Sequence, residues 1–127
     1  MKKAPAVKGL NLFGQYDSSF MLEAQDEYGD SALHIVLKAK NTRMLKVLLE
    51  AGAPVNIQNS NGETPMHIAA FTNNKKAVIM LLEKNADLLI RDNFNSLPSK
   101  RTNYLAFKLR SFLRKQEIIQ QKKRASK

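Results

Sequence analysis

The chain has 127 residues and a formal net charge of +10, from 21 lysines and arginines against 11 aspartates and glutamates. A chain of this length is expected to bury about two thirds of its unfolded surface, which allows one hydrophobic core and excludes a multidomain enzyme. The sequence has no cysteine, which excludes disulfides, cysteine-ligated metal sites and thiol catalysis.

The first 25 residues are basic at the start and apolar further on. The Met-Lys-Lys start is followed by Pro5 and Lys8, so we expect no classical signal peptide. The longest apolar run, Val78 to Leu82, is too short to predict a transmembrane segment. We interpret residues 1–25 as an N-terminal helical cap, on the basis of a cluster of apolar residues: Leu10, Leu12, Phe13, Tyr16, Phe20, Met21 and Leu22.

Residues 26–58 and 59–91 match each other at an offset of 33 residues, with nine of the 33 positions identical. A period of this length is typical of a repeat architecture in which each unit stacks on the next. The identical pairs are Gly29/Gly62, His34/His67, Ile35/Ile68, Asn41/Asn74, Leu48/Leu81, Leu49/Leu82, Glu50/Glu83, Ala53/Ala86 and Ile57/Ile90.

Each unit opens with a predicted turn and helix start. Gly29 and Gly62 lie in polar runs, where a tight turn needs a positive φ that glycine adopts without steric cost. The hydroxyl residue Ser31 or Thr64 follows as a helix N-cap, and Pro65 suits the first helical position. A short helix is therefore predicted in each unit, and a polar stretch with Asn41 or Asn74 ends it.

A second helix is predicted in each unit from apolar residues at helical spacing. These are Leu45, Leu48 and Leu49 in one unit and Val78, Leu81 and Leu82 in the other. Gly52 and Asn85 end these helices, since glycine and asparagine are the residues that adopt the left-handed conformation beyond a helix C-terminus.

Two motifs carry a resemblance to a known family. The segment Thr64-Pro65-Met66-His67-Ile68-Ala69-Ala70 resembles the T-P-L-H-x-A-A core of the ankyrin repeat, and residues 31–37 repeat it in weaker form. Residues 48–53 and 81–86 resemble the L-L-E-x-G-A element of that family. The resemblance implies an all-α ankyrin-repeat solenoid of stacked helix-turn-helix units, with full repeats at residues 26–58 and 59–91.

The repeat pattern weakens after residue 91. Residues 92–98 continue the phase, but polar residues then occupy positions that should be apolar or histidine: Ser99, Lys100, Thr102 and Asn103. The last unit of a solenoid must present a polar face to water. We therefore predict a degenerate C-terminal capping repeat at residues 92–116 and a basic tail at residues 117–127.

No catalytic or metal-binding constellation is apparent. His34 and His67 occupy the same phase, and the resemblance implies that both are framework residues that bond to turn backbone. The sequence lacks the glycine-rich phosphate-binding, zinc-protease and nucleophile-elbow motifs. We expect no enzyme activity, no cofactor and no metal site.

The resemblance implies that the protein binds another protein through turn tips and first-helix faces. Tyr28, Phe71 and Phe94 would form a binding ridge, since exposed aromatic residues often anchor interfaces; the alternative is that they pack on neighbouring turns. The positions that match the family's binding positions are Glu27, Tyr28, Asp30, Lys38, Ala39, Gln58, Ser60, Asn61, Glu63, Phe71, Thr72, Arg91, Asn93, Phe94 and Ser96.

Nearly all of the excess positive charge is C-terminal, because residues 100–127 carry a net +9. Apolar spacing from Tyr104 onward predicts a basic amphipathic helix. It either closes the last repeat with its cations in water, or binds nucleic acid, an acidic protein or a membrane surface; Lys122-Lys123-Arg124 also fits a short nuclear-import signal. The candidate polyanion-binding residues are Lys108, Arg110, Arg114, Lys115, Lys122, Lys123 and Arg124.

The amino-acid usage gives an indication of the type of genome that encodes the protein. Lysine outnumbers arginine fifteen to six and there are eleven asparagines, as is common in AT-rich genomes. We expect a monomeric intracellular protein, cytoplasmic or nuclear, and delivery into a host cell as an effector stays open.

Overall fold

The computed structural model describes residues 22–103 and 106–126. Within these ranges it contains five complete α-helices, one short 3₁₀ helix and no strand, and Leu22 and Glu23 are also helical. The predicted N-terminal cap lies outside the described residues except for residues 22–25. The elements are α1 (Ala32–Lys38), α2 (Thr42–Glu50), α3 (Pro65–Phe71), α4 (Lys75–Glu83), the 3₁₀ helix (Pro98–Arg101) and α5 (Phe107–Ala125).

The first helix of each repeat begins where the sequence predicts. Ser31 and Thr64 precede α1 and α3 in extended conformation, and Pro65 is the first residue of α3. The Thr64 hydroxyl accepts a hydrogen bond from the backbone N–H of His67 at 3.4 Å. These caps satisfy N–H groups that have no partner within the helix itself.

The connection between the paired helices differs from the prediction. Lys40 and Asn73, with φ of 57° and 55°, adopt the left-handed conformation after α1 and α3. The next residues, Asn41 and Asn74, are the N-caps of α2 and α4, and each side-chain oxygen accepts a backbone N–H three residues later at 3.0 Å. The same residue type at positions 41 and 74 is therefore explained by its role as the N-cap of the second helix, in addition to its place after the first.

The predicted ends of the second helices are confirmed. Gly52 has a φ of 91° and Asn85 a φ of 64°, so both adopt the left-handed conformation just beyond α2 and α4. The two residue types serve the same geometry, because asparagine tolerates this region better than other residues with a side chain.

The helices form two stacked layers with the core between them. Helices α1 and α3 and the 3₁₀ helix form one layer, while α2 and α4 pack side by side in the other. Their facing sides supply fully buried residues, which include Leu33, Leu37, Leu45, Met66, Val78 and Leu81. Burial of such side chains is the main stabilising contribution, at about 1.5–3 kcal/mol for each large residue.

The third unit departs from the first two after its turn. In place of a seven-residue helix it has the four-residue 3₁₀ helix. Leu97 stands in the register of Thr64 and Lys100 in that of His67, so the third unit lacks the cap network that starts α3. A single helical turn is what remains.

Helix α5 is 19 residues long and crosses the predicted boundary between cap and tail at residues 116 and 117. Its inner side carries Leu109, Leu113 and Glu117, all buried. Beyond them, Gln120 accepts a hydrogen bond from the N–H of Leu88 at 2.8 Å and donates one to the carbonyl of Ala86 at 3.0 Å. The part of the tail up to Ala125 is thus a continuation of the capping helix.

None of the helices in the described ranges is long and apolar enough to cross a membrane.

Candidate functional site

Each unit opens with a turn that is closed by one side chain. Asp26, Asn59 and Asp92 occupy the same position in successive units. The Oδ1 of each accepts backbone N–H bonds from the residues two and four positions later, at 2.9–3.0 Å. These three residues were not predicted from the sequence, although their shared phase could have indicated them. The turns that they close carry Tyr28, Asn61 and Phe94 at their tips.

The turns stack on one another through their backbones. The N–H of Ser60 donates to the carbonyl of Tyr28 at 3.0 Å, and the N–H of Asn93 donates to the carbonyl of Asn61 at 2.9 Å. Gly29 has a φ of 76°, and a Cβ there would lie 2.5 Å from the Ser60 nitrogen. Glycine is therefore required both by the backbone conformation and by the approach of the next turn.

Two predicted contact residues are also framework residues. The Gln58 amide donates to the carbonyl of Gly62 at 2.9 Å and to that of Arg91 at 3.2 Å. Arg91 in turn donates from Nη1 to the carbonyl of Asn95 at 2.9 Å. Gln58 and Arg91 thereby hold the bases of consecutive turns in register.

The histidines join each first helix to the following turn. The Nδ1 of His34 accepts the N–H of Ser31 at 3.1 Å, and its Nε2–H donates to the carbonyl of Glu63 at 2.7 Å. His67 repeats this arrangement one unit later, with its Nε2–H donating to the carbonyl of Ser96 at 2.9 Å. Because both nitrogens of each ring are occupied, neither ring has a free nitrogen for a metal or for proton transfer.

Burial lowers the pKa of both imidazoles. Loss of hydration disfavours the charged ring of His34 and of His67. The bond to a backbone carbonyl acts in the opposite direction and offsets only part of this effect, so each pKa lies below its ordinary value of 6.5. Both rings are neutral at pH 7, in the tautomer with hydrogen on Nε2 that the contacts require.

Two of the three predicted ridge residues flank a common cation. Phe71 is 59% exposed and Phe94 is 74% exposed. The guanidinium carbon of Arg101 lies 5.9 Å from the centre of the Phe71 ring and 6.0 Å from that of Phe94. We call Phe71, Phe94 and Arg101 the aromatic–arginine cluster. Tyr28, 66% exposed, lies at the tip of the first turn, two units before the tip that carries Phe94.

Arg101 is held from beneath by two carboxylates. Its Nη2 lies 3.3 Å from Oε2 of Glu63, and its Nε lies 3.4 Å from Oδ2 of the buried Asp92. Arg101 was not identified as a site residue from the sequence. In the 33-residue register Arg101 corresponds to the buried Ile68. A cation at a position that is apolar in the preceding unit could have marked Arg101 as a candidate site residue.

Some predicted contact positions are turned into the molecule. Asp30 is 5% exposed and receives hydrogen bonds from Lys38 at 2.7 Å and Asn59 at 2.9 Å. Burial alone raises the pKa of Asp30, but these bonds and the charge of Lys38 outweigh it and lower the pKa overall. Asp30 is therefore an interior residue. A second predicted contact residue, Thr72, is partly buried, and its hydroxyl donates to the carbonyl of Ile68 at 2.9 Å.

The remaining predicted contact positions differ in exposure. Glu63 and Ser96 are partly buried. The side chains that reach solvent are those of Glu27, Tyr28, Lys38, Ala39, Gln58, Ser60, Asn61, Phe71, Arg91, Asn93 and Phe94.

The predicted polyanion-binding cations fall into two groups. Arg110 donates to the hydroxyl of Thr102 at 2.9 Å and to the carbonyl of Asn103 at 2.8 Å, and Arg124 pairs with Asp87 at 2.6 Å. These two arginines fasten α5 to the rest of the fold. The others are exposed, namely Lys108, Arg114, Lys115, Lys122 and Lys123.

A groove of about 520 Å³ between α2 and α4 is lined by four cations, Arg43, Lys46, Lys76 and Lys84, and by the acids Glu50 and Glu83. No histidine lines it. In the part of the chain that the structure describes, no three histidine, aspartate or glutamate residues are grouped so that they could hold a metal ion.

Comparison with protein-family models matches residues 3–92 to the model described as ankyrin repeats (3 copies). The match includes residues 3–25, which precede the first unit seen at the 33-residue offset, and it ends at the first residue of the third turn. No curated protein matches the sequence. The family match covers well over half of the chain and agrees with the stacked helical pairs, so the chain belongs to the ankyrin repeat family.

Proposed function

We propose that the protein binds a protein partner through its turn tips and first-helix faces, with the aromatic–arginine cluster at the centre of the contact. Ankyrin repeats generally mediate protein–protein interaction and are typically non-catalytic. The observation that carries this proposal is the placement of two exposed phenylalanine rings within 6.0 Å of the guanidinium carbon of one arginine.

The chemistry of the cluster suits an interface centre. Aromatic residues and arginine supply most of the binding energy in many interfaces, because they bury large areas and fill pockets on the partner. Phe71 and Phe94 present this kind of surface in the unbound chain.

The cluster is also preorganised. Arg101 is restrained by Glu63 and Asp92, and a side chain that is already restrained loses little conformational freedom on binding. The two carboxylates also neutralise much of the charge of Arg101, so the cluster offers a largely apolar, weakly charged face. A partner with an exposed apolar segment fits this face best.

Tyr28 supplies a second contact in this proposal. The turns stack by backbone bonds, which fixes the separation between the first tip and the cluster. A partner that lies along the tips would contact Tyr28 at one end and Phe94 at the other.

The test uses the full chain as bait in a nuclease-treated cell lysate, with recovered proteins quantified by mass spectrometry. The Phe71→Ala/Phe94→Ala variant is expected to lose the partner, because truncation of a hot-spot aromatic typically costs about 2 kcal/mol or more. Phe107→Ala is the matched control, since Phe107 is 62% exposed but lies on α5.

The recovered partner is then titrated calorimetrically against the same variants. We expect an affinity loss of at least about thirtyfold for the double variant and less than about threefold for the control. Equal affinity of the double variant and the unmodified chain would refute the proposal.

A further inference from the structure

The outward side of α5 carries a line of lysines. Lys108, Lys115 and Lys122 follow one another at intervals of seven residues, which is about two helical turns. All three are exposed. At about 1.5 Å per residue the line extends roughly 21 Å along the helix.

Large apolar side chains lie on both flanks of this line. Phe107 is 62% exposed, Ile118 49% and Ile119 45%. At about 100° per residue, Phe107 and Ile118 project on one flank of the lysines and Ile119 on the other. The exposed Arg114 projects on the same flank as Phe107 and Ile118.

The orientation of this surface is fixed by the opposite side of the helix. Leu109 and Leu113 are buried in the core, and Gln120 and Arg124 bond to the loop after α4. Glu117, the sole acidic residue of α5, is also buried on that inner side. The outward side of α5 therefore presents cations and apolar groups without a compensating acid.

We propose that the outward side of α5 binds the surface of an anionic lipid bilayer. Its lysines would lie among acidic headgroups, which attract basic segments. Phe107, Ile118 and Ile119 would enter the boundary between headgroups and acyl chains, as the apolar residues of interfacial helices do.

Charge and exposure favour a bilayer over other occupants of this surface. A nucleic acid backbone would pair with the lysines but would give no partner to the two isoleucines. A second copy of the chain would bring lysine against lysine. An anionic bilayer is the partner that satisfies both the cations and the apolar side chains. The proposed protein-binding surface lies on other elements, so failure of one proposal leaves the other standing.

Co-sedimentation with vesicles tests the proposal. The full chain is mixed with vesicles of equal parts phosphatidylcholine and phosphatidylserine, or of phosphatidylcholine alone. We expect binding to the anionic vesicles only. Each lysine near such a surface strengthens binding about fivefold, so Lys108→Gln/Lys115→Gln/Lys122→Gln should bind about 100-fold more weakly.

The control variant has the same net charge. Lys46→Gln/Lys76→Gln/Lys84→Gln removes three exposed lysines from α2 and α4 and the residue after α4. Its binding should stay within about fivefold of the unmodified chain, because those lysines lie on α2, on α4 and just after α4 and not on α5.

Insertion of the apolar residues is tested separately. The chain has no tryptophan, so Phe107→Trp introduces a single fluorescent reporter at an exposed position. Its emission should shift to shorter wavelength with the anionic vesicles, and it should not shift with a DNA duplex at equal phosphate concentration.

Several results would overturn the proposal. The first is that the chain does not sediment with anionic vesicles. The second is that the two triple lysine variants lose vesicle affinity equally. The third is that the tryptophan emission of the vesicle-bound Phe107→Trp variant does not shift. Tighter binding to the duplex than to the vesicles would assign the surface to nucleic acid instead. A dimer in analytical ultracentrifugation that the Lys108→Gln/Lys115→Gln/Lys122→Gln variant abolishes would assign it to a second copy.

Discussion

The second and third units share the same turn but continue from it differently. In the second unit the turn leads to a capped helix, and His67 of that helix reaches the carbonyl of Ser96 in the next turn. In the third unit Lys100 occupies the histidine position, and no fourth repeat turn is present within the described residues. The histidine is present in the two units that are followed by another repeat turn, and its Nε2–H bonds to the backbone of that turn.

The end of the solenoid uses a different set of contacts. Arg110 bonds to Thr102 and Asn103, and Gln120 bonds to both Ala86 and Leu88. Side chains of α5 thus hold the segment after the 3₁₀ helix and the loop after α4. The repeated units are joined by histidine and backbone bonds, whereas the cap is joined by the side chains of α5.

The largest expected loss of stability comes from truncating a core leucine, and it should be larger in the repeats than in the cap. Leu81 of α4 and Leu113 of α5 are both fully buried. Leu81→Ala should lower the free energy of unfolding by about 3–5 kcal/mol, because the cavity is enclosed by elements on both sides. Leu113→Ala should cost about 2–3 kcal/mol, since the terminal helix can relax into the cavity. Urea unfolding measures both, and an equal or larger loss for Leu113→Ala would show that the cap is as rigid as the repeats.

The second prediction compares the histidine position of the two units. His67→Gln should lower the free energy of unfolding by about 1–3 kcal/mol, because buried polar groups at the Thr64 N–H and the Ser96 carbonyl lose their partners. Lys100→Gln, at the equivalent place in the third unit, is exposed and should change it by less than about 0.5 kcal/mol. Chemical denaturation of both variants checks this difference.

The third prediction concerns pH. His34 and His67 have a pKa below 6.5 in the folded chain, whereas the unfolded chain titrates near 6.5. Between these values the unfolded state binds more protons, so stability is full above pH 6.5 and falls as the pH decreases below it. The slope should reach at most about 1.4 kcal/mol per pH unit for each histidine.

The His34→Gln/His67→Gln variant is the control for this pH dependence. Its stability is lower at neutral pH, but it should show a flatter profile just below pH 6.5, the ordinary pKa of the ring. If thermal or urea unfolding of the unmodified chain shows no loss of stability in that range, burial of the neutral rings does not control the pH dependence.

The repeated part of the fold was predictable because each local signal recurs. Thr64, Pro65, Gly52 and Asn85 mark helix starts and ends by their own conformational preferences, and the structure agrees at each of them. The cap was less predictable, because its contacts do not follow the 33-residue period. Gln120 bonds to Ala86, but the residue 33 positions before Gln120 is Asp87, so the repeats give no signal for this bond.

The candidate site was predictable in part. Phe71 and Phe94 could be identified from their register, and both are exposed. Arg101 could not be paired with them from the sequence, because its position depends on Glu63 and Asp92 in two different units. The same register placed Asp30 among the contact positions, and the structure shows its side chain buried and paired with Lys38 at the other end of α1.

The smallest expected loss of stability comes from removing a cation of α5 that forms an ion pair, compared with a neighbouring exposed cation. Arg124 pairs with Asp87 at 2.6 Å, with side chains 56% and 21% exposed. Such a pair contributes about 0.2–1 kcal/mol, so Arg124→Gln should lower the free energy of unfolding by that amount at low salt and by less at high salt. The neighbouring Lys123→Gln removes the same charge and should have no measurable effect. If the two variants are equally stable at low salt, the last turn of α5 is not fastened by this pair, and the stability of the cap depends on Gln120 and the buried leucines alone.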